Sequence, residues 1–239
     1  MTRIDLNADL GEGGSQDAAL LALVSSANIA CGGHAGGGEI MRRCIASALA
    51  AGVRIGAHPG YPDRENFGRR EMSLPPAQVT ALVLSQIREI SALVGDKLHH
   101  VKPHGALYHQ ANREPALAEA LIHAMLEASP ALTLYAPPGG ALEAAARAAK
   151  IPVKREGFAD RRYTADGSLV PRTEPGAVIS CIAEAVAQAR NLATSGNFDT
   201  LCIHGDTPQA LAILQALRDA IGEFPANAPP AGSRALTRE

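Results

Sequence analysis

A short β-type run followed by a helical stretch, repeated seven times, governs what this chain of 239 residues can fold into. Parallel neighbours cannot be joined by tight turns, so such a rhythm predicts a parallel α/β fold with helical crossovers. The runs are Ile4–Asn7, Ala27–Ala30, Arg54–Ala57, His100–Lys102, Thr133–Ala136, Val153–Arg155 and Thr200–Ile203. Helical periodicity marks Glu39–Ala51, Pro76–Val94, Leu117–Ala128, Ala141–Ala149, Pro175–Thr194 and Pro208–Ile221. In the stretch after Pro175, Val178, Ile182, Ala185, Val186 and Ala189 recur at helical spacing and predict one buried stripe. No linker or compositional break divides the chain. One domain is expected over residues 1–225, with residues 226–239, small, polar and Pro-rich, as a flexible tail.

Composition removes several classes of function. No stretch approaches the roughly 18 consecutive apolar residues of a membrane helix. Lys+Arg 22 against Asp+Glu 24, with no basic run, argues against nucleic acid as a partner. The absence of Trp argues against a carbohydrate platform of stacked indoles. Cys31, Cys44, Cys181 and Cys202 form no CxxC pair and read as core thiols. Asp5 and Asp9 stand where a secretion signal would need basic and then apolar residues, so a cytoplasmic location is expected.

A buried parallel strand is ordinarily apolar, so polar residues at the strand exits need a reason. Asn7, Asp9 and Glu12 follow the first run; Asn28 and His34 belong to the second. His58 ends the third, Lys102 and His104 the fourth, Glu156, Asp160 and Arg161 the sixth, and His204 and Asp206 the seventh. In a closed or nearly closed barrel these ends meet on the face where such barrels build active sites. Any one of them could be a helix cap, as Asp206 before Thr-Pro could be. As a set they suit either acid/base chemistry or a divalent metal, and their spacing does not choose. No HxxxH or HExxH pair puts two ligands on one helix face, so a metal would draw its ligands from different strand ends.

Two local features stand out. Ala30–Glu39 is a glycine-rich strand-to-helix turn whose amides could cradle an anion, but Glu39 stands where a P-loop needs lysine, so no nucleotide motif is present. In VKPHGALY, Pro103 ends the ladder and holds Lys102 and His104 in place. Two long polar loops, Gly60–Leu74 and Asp160–Thr173, have the character of functional loops.

DLNADLGE at Asp5–Glu12, SSANIACGGHAG at Ser25–Gly36, IGAHPGYPDRENFGRR at Ile55–Arg70, VKPHGALY at Val101–Tyr108, EGFADRRYTADGSLVPR at Glu156–Arg172 and CIHGD at Cys202–Asp206 together resemble the LamB/YcsF family. The blocks run from the first strand to the last. The resemblance implies a single-domain, seven-stranded β/α (TIM-like) barrel similar to the glycoside hydrolase/deacetylase superfamily. It also implies the role of the A component of an ATP-dependent 5-oxoprolinase, which opens 5-oxo-L-proline to L-glutamate with partner subunits B and C. ATP would be consumed by the complex and bound on the partners. The chain departs from the family's CGFHAGD at Gly33 and Gly37, losing an aromatic wall and a carboxylate near His34.

On this reading Asp9 or Glu12 is the candidate base. His34, His58, His104 and His204 are proton-transfer groups or ligands of a divalent metal, and Lys102 and Arg161 are anion anchors. Glu156, Asp160 and Asp206 orient them or share the acid/base role, and Asn7, Asn28, Tyr163 and Arg172 are further substrate contacts. Two other readings are a stand-alone metal-dependent amide or polysaccharide deacetylase and a non-catalytic scaffold for the partner subunits.

Overall fold

The computed structural model describes residues 4–221; the expected tail at residues 226–239 lies outside them. Seven parallel strands pair in chain order and the last returns to the first, closing a barrel. The strands are β1 (Asp5–Leu10), β2 (Ser26–Ala30), β3 (Arg54–His58), β4 (Leu98–Val101), β5 (Thr133–Ala136), β6 (Val153–Phe158) and β7 (Thr200–His204). Around them run α1 (Asp17–Leu21), α2 (Gly38–Ala51), α3 (Pro76–Val94), α4 (Gly105–Arg113), α5 (Pro115–Ala128), α6 (Ala141–Ala148), α7 (Ile182–Thr194) and α8 (Ala210–Ile221). All seven expected strands are present. No described helix is long and apolar enough to cross a membrane.

The helices form where apolar spacing and end chemistry agree. In α3, Val79, Val83, Ile87, Ile90 and Val94 are buried, and Pro76 occupies the first turn, where its missing N–H costs nothing. Helix α2 ends at Gly52, whose φ of 68° is the left-handed conformation a C-terminal cap requires.

The strands depart from expectation in one respect. Polar residues do not wait for the exits but line the barrel interior from end to end. In β1, Leu6, Ala8 and Leu10 belong to the apolar core. The alternate residues Asp5, Asn7 and Asp9 instead bond across the barrel to other strands. Period-two alternation is thus kept while the usual sides are exchanged. Near the first end, Asp5 accepts hydrogen bonds from Ser26, Tyr135 and Thr200 and pairs with Arg54. In the middle, Asn28 Nδ2 donates to Asn7 Oδ1 at 2.7 Å, and His100 Nε2 donates to Asn28 Oδ1 at 2.8 Å. Gly56 makes that layer possible, since a Cβ there would lie 2.1 Å from the His100 ring.

One helical expectation needs correction. The stretch expected to begin at Pro175 becomes helical only at Ile182. Residues 161–178 instead fold back on themselves through bridges Arg161–Val178 and Tyr163–Leu169, and Gly176 turns at a φ of 80°. Val178 therefore belongs to a loop and not to the buried stripe. Helix α4, directly after His104, and the five-residue α1 add to the elements read from the sequence.

Candidate active site

The innermost element of the barrel mouth is a buried charge cluster. Lys102 Nζ donates to Asp9 Oδ1 at 2.7 Å and to Cys202 Sγ at 2.9 Å, and lies 3.2 Å from Glu156 Oε1. Tyr108 donates to Glu156 Oε2 at 2.8 Å. Burial works against the Lys102 ammonium, but Asp9, Cys202 and Glu156 outweigh it and hold its pKa well above the usual lysine value. Burial likewise works against the Asp9 carboxylate, yet His58, Lys102 and His204 hold its pKa well below the usual range. Lys102 is fully committed here. It serves as counter-charge to two carboxylates, not as the open anion anchor expected from the strand exit.

Above this cluster three imidazoles and Glu12 converge. His34 Nε2 lies 3.0 Å from Glu12 Oε1, His104 Nδ1 3.5 Å from it, and His58 Nε2 3.8 Å from it. The His34 and His104 rings stack in parallel with centroids 3.6 Å apart, and His58 stands perpendicular to both. Glycine backbone seats these rings: a Cβ at Gly60 would lie 2.6 Å from His34 Nδ1, and one at Gly68, at a φ of 64°, 2.6 Å from the His34 Cβ. Burial brings the His34 pKa down to about 2 and, with His34 and His58 as neighbours, lowers that of His104. Burial and the charge of Asp9 push Glu12 well above the ordinary carboxylate range. These four residues, and separately Asp9, Cys202 and His204, bring donor atoms close enough to share a metal ion.

A third element sits on β7 and the loop after β6. Asp160 Oδ1 lies 3.1 Å from His204 Nδ1, while Asp160 Oδ2 accepts hydrogen bonds from the His204 amide at 2.9 Å and from Thr207 at 2.5 Å. Burial opposes the Asp160 charge, but His204 and Thr207 hold its pKa below the usual range. The carboxylate thus fixes the His204 tautomer with the proton on Nδ1. Nε2 faces the site, 4.0 Å from Asp9 Oδ2.

The rim is cationic. Asp206 is paired with Arg69 at 2.5 Å and Arg172 at 2.6 Å, and α8 begins only at Ala210, four residues beyond it. Arg161 is buried, donates one bond to the Val170 carbonyl at 2.7 Å, and leaves its Nε without a partner. Tyr163 accepts the Phe158 amide at 2.8 Å.

Of the residues expected from sequence, Asp9, Glu12, His34, His58, Lys102, His104, Glu156 and His204 meet at the mouth, Asp160 supports His204, and Arg161, Arg172 and Asp206 lie at the rim. Asn7 and Asn28 sit lower, bonded to each other, to Thr200, to His100 and to Asp9; substrate contact through Asn7 is not supported by that position. Sequence reasoning misses Arg69, Cys202 and Tyr108. The charge-rich FGRR run is a signal for Arg69, whereas Cys202 and Tyr108 read as ordinary core residues.

The glycine-rich turn is partly closed on itself. Gly32 N–H donates to the Ala35 carbonyl, and the carbonyls of Gly32 and Gly36 face outward to accept from Arg64 at 2.9 and 2.8 Å. At Gly33 a Cβ would come within 2.5 Å of the Gly60 carbonyl and 2.6 Å of Gln86 Oε1. Gln86 bonds both the amide and the carbonyl of Gly60, so the space beside Gly33 is filled from α3.

The model of the LamB/YcsF family matches residues 4–233. The chain belongs to the LamB/YcsF family. A lactam utilization protein from Thermus thermophilus, known by crystal structure, shares this LamB/YcsF fold at 41% identity and a TM-score of 0.84, over 92% of this chain and 96% of that one. The catalytic domain of a mannanase from Streptomyces sp. SirexAA-E is matched at 13% identity and a TM-score of 0.42, over 85% of this chain and 75% of that one.

Proposed function

We propose that this LamB/YcsF protein is the A component of an ATP-dependent 5-oxoprolinase, opening 5-oxo-L-proline to L-glutamate in a complex with subunits B and C. The family, together with a 41%-identical neighbour described as a lactam utilization protein, supports a lactam substrate. The observation that carries the reading is His204, held by Asp160 and aimed at Asp9, beneath a rim of three arginines. A small cyclic amide bearing a carboxylate matches that arrangement. The partly unpaired Arg161 suits the carboxylate, and the proton-transfer group suits the amide.

A five-membered lactam is a stable amide, and phosphorylation of its oxygen at the expense of ATP makes carbon 5 a better electrophile. ATP binding is assigned to the partners, in keeping with the lack of a P-loop motif in this sequence. Water lodged against Asp9 and His204 then bonds to carbon 5 and gives its proton to His204 Nε2. The carbon–nitrogen bond breaks, and His204 passes the proton to the departing nitrogen, which becomes the amino group. The acyl phosphate so formed loses phosphate to a second water, leaving glutamate. Asp9, ionised beside Lys102, stabilises the transient His204 imidazolium.

Glutamate release from 5-oxoproline by the purified chain, with and without ATP and subunits B and C, tests this. Release only with all components present is the expected result. Turnover of amides by the chain alone, without ATP, would favour the deacetylase reading, and release that does not need this chain would favour a scaffold.

A further inference from the structure

The hydrogen-bond directions around His58 and His104 admit few arrangements. His58 Nδ1 lies 2.7 Å from the Lys102 carbonyl and His104 Nε2 lies 2.9 Å from the Phe67 carbonyl. A carbonyl only accepts, so both of those nitrogens carry a proton. The remaining nitrogens, His58 Nε2 and His104 Nδ1, face each other across 2.9 Å, a separation that one shared proton or, in its place, one metal ion can bridge. Glu12 Oε1 lies 3.8 and 3.5 Å from them, and Asp9 Oδ2 lies 3.4 Å from His58 Nε2. Two imidazole nitrogens and two carboxylate oxygens therefore face one point, while the nearby ammonium of Lys102 is shared between Asp9 and Glu156.

We propose that His58 Nε2, His104 Nδ1 and Glu12 Oε1 bind one divalent ion of the zinc, cobalt or manganese type, with Asp9 Oδ2 flanking it. Metal–nitrogen bonds of about 2.0–2.1 Å put adjacent ligands about 3–3.4 Å apart, close to these separations. Nitrogen and carboxylate donors together suit ions of that class. The perpendicular rings of His58 and His104 allow one ion to lie in both ring planes.

His34 is not a ligand in this arrangement. Its ring is parallel to that of His104 at 3.6 Å, and no ion can lie in two parallel planes at once. Its Nε2 donates instead to Glu12 Oε1, orienting the carboxylate as outer partners of metal ligands do. The ion replaces the proton that would otherwise sit on this cluster. At this position it can polarise a carbonyl oxygen or acidify a bound water facing His204.

Calorimetric titration of the chelator-treated full chain with ZnCl2 and CoCl2, without substrate or partner subunits, tests the site independently of the lactam reading. One ion per chain and visible ligand-field bands of the cobalt form are expected. His58→Gln and His104→Gln should each weaken binding more than about a hundredfold, and His34→Phe only about tenfold, with stoichiometry kept. Circular dichroism confirms that each variant is folded; Glu12→Gln, close in shape, serves if either histidine variant is not. Nitrogen-15 spectra of the histidines supply a measure that needs no variant. An imidazolium at His58 or His104 that zinc leaves unchanged would overturn the proposal, as would a His34 variant as damaging as His58→Gln.

Discussion

The two ends of the barrel interior are both buried and polar, yet they are satisfied in opposite ways. At the first end Asp5 receives Ser26, Tyr135, Thr200 and Arg54, and no buried side chain around it is left without a partner among the described residues. At the mouth, His58 Nε2 and His104 Nδ1 face each other across 2.9 Å, and His34 Nδ1 and Arg161 Nε have no partner. Closed networks stabilise and specify a core, whereas unmet hydrogen-bonding capacity at a mouth is capacity for a ligand. Composition alone does not separate the two regions, since both consist of acids, bases and small polar residues.

The largest expected effect lies at the mouth. His204→Ala should reduce glutamate release by the reconstituted complex about 10²–10⁴-fold while shifting the melting temperature by no more than a few degrees, because it removes a proton-transfer group from a partly open position. If activity and stability fell together, the contrast between the ends would collapse.

At the closed end the pattern should invert. Asp5→Ala should cost about 2–3 kcal/mol in urea unfolding, below the range for fully buried pairs because Arg54 and Lys154 keep some hydration. The folded variant should retain normal kcat. A large drop in kcat at full folding would show that the two ends are coupled.

Arg161→Lys probes the rim. It keeps the charge but loses the planar fork, so KM for 5-oxoproline should rise about tenfold with kcat nearly unchanged. A change in kcat alone would move Arg161 from substrate binding to chemistry.

The smallest effect concerns His100, stacked on Tyr135 and bonded to Asn28 within the barrel. Burial, then His99 and nearby cations, lower its pKa well below the usual value, and burial takes His99 to about 4. In the unfolded chain such groups take up protons near pH 6.5; in the folded chain they do so only far below. Stability therefore falls as pH drops below about 6.5, by up to about 1.4 kcal/mol per pH unit for each such histidine. Urea midpoints measured across this range for the parent and His100→Gln should show a shallower slope in the variant. Equal slopes would mean that His100 is protonated in the fold.

Much of the barrel was legible because strand and helix signals are local. Thr133–Ala136 and Pro76–Val94 match their observed bounds, since each is set by neighbours within a turn or a pleat. The helix expected from Pro175 failed for the complementary reason: its first residues are drawn into a fold-back through the Arg161–Val178 bridge, a contact that periodicity cannot register. Lys102 was placed correctly at a strand exit, but its three partners, Asp9, Glu156 and Cys202, come from other strands.

The sequence by itself determined the seven-fold rhythm of strands and helices and which residue types reach the mouth, because hydrophobic periodicity and the polar residues bounding each strand are properties of adjacent positions. Only the tertiary structure decided that His58 faces His104, that Asp160 holds His204 and that Arg69 grips Asp206. Those pairs lie 46, 44 and 137 residues apart. Closure of the barrel sets the stagger between its strands, and the stagger fixes which side chains share a layer and which of their atoms touch.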